Sequence, residues 1–284
     1  LRRLVLLHGL PDQTSEELTK ASEEVSLRGR VWKTLLGIKR VNGDEYVCLL
    51  RRGPATANGM DNKIDCDKDR TFQRDETYEA AVPEARLVRC LNVFAIWVED
   101  QNKSGNTSSN GVALIPYAQG LNLVAGALLT VMPEPDAFEC LKEIIAKRVP
   151  RYWSPTLPGA HDGLKALCGL VEAVDPVLWK HLVHFKFTPE LLMRTVLGLG
   201  LSTPPLSQSL KLWDYLLAFG MFLSPVIAAA QVIMWRDTLL SHPKPCTILR
   251  TLPNVEAESL LALVNQIISQ VSDDMWQFLT THST

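Results

Sequence analysis

Apolar residues recur along this chain at three- and four-residue spacing. Nowhere do they alternate with polar residues over strand length beside a hairpin turn. That periodicity predicts an all-α fold, with helices at Leu27–Leu36, Asp44–Arg52, Glu84–Asp100, Ala118–Val131, Pro135–Arg148, Ala160–Val174, Pro176–Phe185, Pro189–Leu199, Leu206–Phe219, Pro225–Ser241 and Val255–His282. Three starts are marked by a capping side chain followed by proline at the first helical position: Asp175-Pro176, Thr188-Pro189 and Ser224-Pro225. Gly37, Gly53, Gly200 and Gly220 read as helix ends. The polar segments 53–63 and 101–110 read as loops, the second mobile because it has nothing apolar to bury, and its serines 104–109 as a place for phosphorylation.

At 284 residues the chain suits one large domain of two packed lobes, about 1–132 and 133–284, with a proline-rich hinge between 132 and 160 and a long C-terminal helix. Thirty-one acidic against 29 basic residues leave a net charge of −2, which lacks the basic field of a sequence-independent nucleic-acid binder, so we expect no nucleic acid among its partners. Six cysteines without a close pair fit reduced thiols and a cytoplasmic location. The beginning at Leu1 carries no signal-peptide pattern and reads as a processed or trimmed end. Two uncharged runs, 105–133 and 215–235, are broken by Pro116, Gln119 and Asn122 and by Gly220 and Ser224-Pro225, so we expect no transmembrane segment.

Common catalytic patterns are missing. No phosphate-cradling GxxxxGK[ST] and no GxSxG elbow occurs. His181 and His184, one turn apart, and His161-Asp162 suggest a metal phosphohydrolase only weakly, and we expect no metal. Asp65, Asp67, Asp69 and Glu76 have the spacing of much of a calcium EF-hand loop, but Arg70 stands where its sharp turn wants glycine.

Three short motifs remain, in a fixed order: Arg28-Gly29-Arg30-Val31-Trp32, Ile64 to Phe72 with Asp67 and Arg70, and Tyr117-Ala118-Gln119-Gly120-Leu121-Asn122. Singly none is specific. As an ordered set, RGxxW, IxxDxxR and YxQ resemble the TBC domain, the all-helical GTPase-activating fold of the Rab type. The resemblance continues through Leu210 to Tyr215 and Ala230 to Leu240. Within that family the stretches 202–206 and 249–253 look like the TBC subunit of the fungal spindle-position checkpoint.

The chemistry stands beside the resemblance. Hydrolysis of GTP spreads negative charge over the γ-phosphate and leaving oxygens, so a catalyst needs a cation there and a group that holds the attacking water in line. Arginine and glutamine suit those tasks. The resemblance implies Arg70 as arginine finger and Gln119 as glutamine finger, with Asp67, Tyr117 and Ile64 supporting them. It makes Gly29 a close-approach residue, Trp32 a core residue, and Arg28 a tie to the catalytic loop. It further implies a Ras-superfamily GTPase of the mitotic-exit and septation pathway as partner, a scaffold subunit, a site at the spindle pole body, and no cofactor beyond the GTP and Mg²⁺ that the GTPase holds. The alternative is a non-catalytic module of the same fold that localises a GTPase, since the apolar helices of 206–240 and 260–279 could serve partner contacts.

Overall fold

The computed structural model describes residues 1–105 and 111–284. Among them the chain is helical throughout and has no strand. The first half comprises α1 (Arg2–His8), α2 (Ser15–Thr19), α3 (Leu27–Leu36), α4 (Gly43–Leu50), α5 (Met60–Lys68), α6 (Glu76–Ala81), α7 (Glu84–Ser104) and α8 (Leu121–Leu129). The second comprises α9 (Glu134–Glu143), α10 (Pro158–Val174), α11 (Pro176–His184), α12 (Met193–Leu197), α13 (Leu206–Phe219), α14 (Ser224–Met234), α15 (Arg236–Ser241), α16 (Pro245–Arg250), α17 (Ala257–Ile268) and α18 (Asp273–Thr281). No helix among the described residues is long and apolar enough to cross a membrane.

Burial explains the arrangement. α8 is apolar but for Asn122 and every one of its residues is buried, so it occupies the centre, against α7 and α9. α7 is amphipathic over 21 residues and ends on Gly105, whose φ of +71° favours glycine. Near its start the buried Arg86 guanidinium donates to the carbonyls of Ala81 at 2.7 Å, Ala21 at 3.1 Å and Met132 at 3.2 Å, gathering three chain segments. In the second half α10 packs on α14, and α14 on α17.

Several expected boundaries shift, each for a local reason. The segment 53–63 is not all loop, because α5 begins at Met60, immediately after Gly59 turns the chain with φ of +66°. Helix α7 runs on to Ser104, and Asn102 takes both backbone groups of Leu114, so residues 101–104 are not loop; the rest of the serine-rich stretch lies outside the described residues. Gln119 precedes α8 rather than lying within it, since Gly120 has φ of +106°. Trp235 separates α14 from α15. The long helix expected over 255–282 is two helices. Ser272 caps α18 by accepting the Met275 N–H at 3.3 Å, with Asp273 and Asp274 in the first turn.

Candidate functional site

The first motif builds the interior of the fold. Ser26 caps α3 by accepting the Gly29 N–H at 3.1 Å. Gly29 lies so close to the end of α8 that a Cβ there would stand 2.4 Å from the Val131 carbonyl oxygen, which is the close approach expected of it. Trp32 is fully buried and donates its indole N–H to Asp214 at 2.7 Å. The expected tie of Arg28 to the loop of Asp67 and Arg70 is not what the structure shows. The Arg28 Nε donates to Asp214 Oδ1 at 3.1 Å and its Nη2 to Oδ2 at 3.2 Å, joining α3 to α13. Burial pushes the Asp214 carboxyl above its ordinary range, against the pull of Arg28 and of the Trp32 N–H.

The second and third motifs meet at the surface. Ile64 is fully buried and anchors α5 in the core. One turn on, Asp67 is buried at the end of α5, and Arg70 follows it with its side chain 68% exposed. The Tyr117 O–H donates to Asp67 Oδ2 at 2.8 Å, fifty residues away in sequence. Burial, and then the bond to Asp67, push the Tyr117 phenol far above its ordinary pKa, so it remains a donor. Arg70 Nη1 stands 3.9 Å from Asp67 Oδ1, a loose pairing that leaves the guanidinium turned outward.

A second set of bonds joins the same two loops. Asn122 Oδ1 accepts the Gly120 N–H at 3.0 Å, its Nδ2 donates to Thr71 Oγ1 at 2.9 Å, and that hydroxyl donates to the Asp67 carbonyl at 2.8 Å. Gly120 is required twice over: its φ is +106°, and a Cβ would lie 3.1 Å from the Leu197 Cβ and 3.2 Å from the Leu197 carbonyl oxygen. Beyond Arg70, Phe72 and Arg74 take left-handed backbone with φ of 45° and 66°. Asp75 then pins the segment, accepting from the N–H groups of Tyr78 at 3.1 Å and Leu206 at 2.9 Å. Arg70 and the exposed Gln119 line one small cavity, floored by Asp67 and Asn122. It adjoins a cleft of about 320 Å³ that shares Arg70, Leu123 and Arg194.

The third motif ends on Asn122, but no role for it was read from the sequence, and Asp75 was missed. Asn122 was visible as an asparagine in the first turn of a helix opened by glycine, where its side chain meets free backbone N–H groups.

The rival metal readings lose their geometry. Residues 65 and 67 lie in helix α5, about 200° apart around its axis, so their carboxylates diverge. Asp65 instead holds Lys68 at 2.7 Å. His181 Nε2 meets the Leu239 carbonyl at 3.1 Å, and Asp162 is engaged by Arg151 at 2.8 Å and Lys165 at 2.9 Å.

Comparison with known proteins gives the family. The pattern of the Rab-GTPase-TBC domain family matches residues 25–240, and the chain belongs to that family. Among relatives, it is 36% identical over 99% of its length to a Dictyostelium discoideum protein named for the mitotic check point protein BUB2, covering 74% of that protein. It is 31% identical over 91% of its length to cell division control protein 16 of Schizosaccharomyces pombe, covering 81% of it. The crystal structure of the Ypt/Rab-GAP domain of Gyp1p shares the fold, with a TM-score of 0.65 at 18% identity over 95% of this chain and 96% of that one.

Proposed function

We propose that this chain is a GTPase-activating protein that inserts Arg70 and Gln119 into the nucleotide site of a Ras-superfamily GTPase. The observation that carries the reading is the convergence of two distant motifs: both side chains are exposed on one cavity while the groups behind them are buried and hydrogen-bonded. In the reaction, water attacks the γ-phosphorus, the bond to the β–γ bridging oxygen breaks, and GDP and phosphate leave. Arg70 supplies a planar cation to the oxygens that gain charge, a contribution of roughly 10³ to 10⁵ in rate for an arginine supplied in trans, or about 4 to 7 kcal/mol. Gln119 holds the water, its amide both donating and accepting. Asp67 and Tyr117 fix the base of both fingers, so little reorganisation accompanies docking. GTP and Mg²⁺ are held by the GTPase, and this chain contributes no cofactor.

The names of the relatives, a mitotic check point protein and a cell division control protein, support a GTPase of the mitotic-exit and septation pathway as the partner. A scaffold subunit and a site of action at the spindle pole body, from the cytoplasm, belong to the same proposal. The test is single-turnover GTP hydrolysis by the candidate GTPase, with and without the scaffold subunit, using wild type, Arg70→Ala and Gln119→Ala. Loss of stimulation in both variants with GTPase binding retained is expected. Full stimulation in both would make the chain a binding module that localises a GTPase.

A further inference from the structure

Arg194 is a second arginine in this cleft, and none of the three motifs contains it. It stands on α12, is exposed, and lines both the small cavity of Arg70 and Gln119 and the larger cleft beside it. Its side chain has no ion pair or hydrogen bond among the described residues. The carboxylates lining the same space are already engaged. Asp67 accepts from Tyr117 and stands beside Arg70, and both oxygens of Asp75 accept backbone N–H groups. Two arginines therefore share this space, and no carboxylate among the described residues that line it is left unengaged, on a chain whose net charge is −2. That local field suits an anion.

The position of Arg194 is also fixed relative to the glutamine loop. Leu197, three residues on and on the same face of α12, is the residue whose backbone and Cβ lie against Gly120. A Cβ at residue 120 would stand 3.1–3.2 Å from Leu197, so the Gln119 loop packs closely against α12.

We propose that Arg194 is a second recognition cation of the site, binding anionic oxygens that the GTP-loaded GTPase brings beside Gln119. The assignment rests on the GTPase-activating reading. A guanidinium fork binds phosphate and carboxylate alike, so the oxygens could come from the nucleotide or from an acidic side chain of the GTPase. The two sources separate kinetically. A contact that strengthens as phosphate charge develops raises kcat, whereas a carboxylate contact made equally before and during reaction lowers KM.

The experiment is stimulated hydrolysis by a panel of purified, GTP-loaded Ras-superfamily GTPases, over a range of GTPase concentration and at two ionic strengths. The activators are wild type, Arg194→Ala, Arg194→Lys and Arg70→Ala, each with its melting temperature. For Arg194→Ala the expected result is at least a tenfold loss in kcat/KM, a weaker salt dependence, and an unchanged melting temperature, with partial recovery in Arg194→Lys. A loss confined to kcat assigns the nucleotide phosphate, and one confined to KM assigns a carboxylate. Wild-type behaviour of Arg194→Ala beside an inactive Arg70→Ala overturns the proposal and leaves the finger mechanism intact. If Arg70→Ala stimulates fully, or wild type stimulates no GTPase, the GTPase-activating reading falls and the assignment of Arg194 falls with it.

Discussion

Two arginine–aspartate pairs occupy opposite situations in this molecule. Arg28 and Asp214 are each 3% exposed at the side chain, bonded through two guanidinium nitrogens, and completed by an indole N–H. Arg70 and Asp67 pair at 3.9 Å, with the arginine side chain 68% exposed and the aspartate 12%. The buried arginine is almost wholly closed off from solvent. The exposed one keeps most of its donors free while its aspartate is held from behind by Tyr117. The same residue types thus form a closed pair in one place and an open one in the other, and the difference is set by what the carboxylate is already bonded to.

That contrast can be broken by substitution. Arg28→Ala strands Asp214 in the interior, and a loss of about 3–5 kcal/mol of stability is expected, measured by urea unfolding. Arg70→Ala should change stability by no more than about 0.5 kcal/mol in the same assay, while abolishing stimulation. Equal losses in the two variants would show that the surface pair is structural. Tyr117→Phe sharpens the comparison: it deletes a bond to a charged group, worth about 1.5 kcal/mol, and should lower stimulated kcat/KM about tenfold. Unchanged kinetics would mean that Arg70 needs no support from behind Asp67.

The smallest effect expected comes from a third polar contact, at the chain's end. The Leu279 carbonyl, 2.7 Å from His282 Nδ1, can only accept, so Nδ1 carries the proton and Nε2 accepts from the Tyr152 O–H at 2.9 Å. Burial holds this imidazole below its ordinary pKa. The unfolded chain therefore binds the proton first. The stabilisation is complete above about pH 6.5 and is lost as pH falls from there toward the lowered folded value, with a slope of at most about 1.4 kcal/mol per pH unit. Urea midpoints of wild type and His282→Gln across that window should converge as pH falls. Parallel midpoints would remove His282 as the source.

Much of this was legible in the sequence where the signal is local. α3 and α13 begin and end where the apolar spacing places them. The ordered motifs gave Arg70, Gln119, Asp67 and Tyr117, and the structure brings all four to one place. α5 was hidden by the breaker-rich residues before it, although Ile64 and Asp67 keep a helical spacing. The break before α18 was signalled by Ser272-Asp273-Asp274, a cap and acidic first turn set inside an otherwise continuous apolar period. Arg28's partner lies 186 residues away and Arg194's place depends on Leu197 meeting Gly120, and pairings at that range leave no mark on local periodicity.

Gln119 stands just before α8, whose nine residues are all buried. Amides in such a helix exchange with solvent only when the whole domain opens. Gln119 is therefore one residue removed from a helix buried along its whole length. Denaturant or heat should leave the spacing of Arg70 and Gln119 intact until the chain unfolds as a whole, so that stimulation of the GTPase disappears at the global transition and not gradually before it.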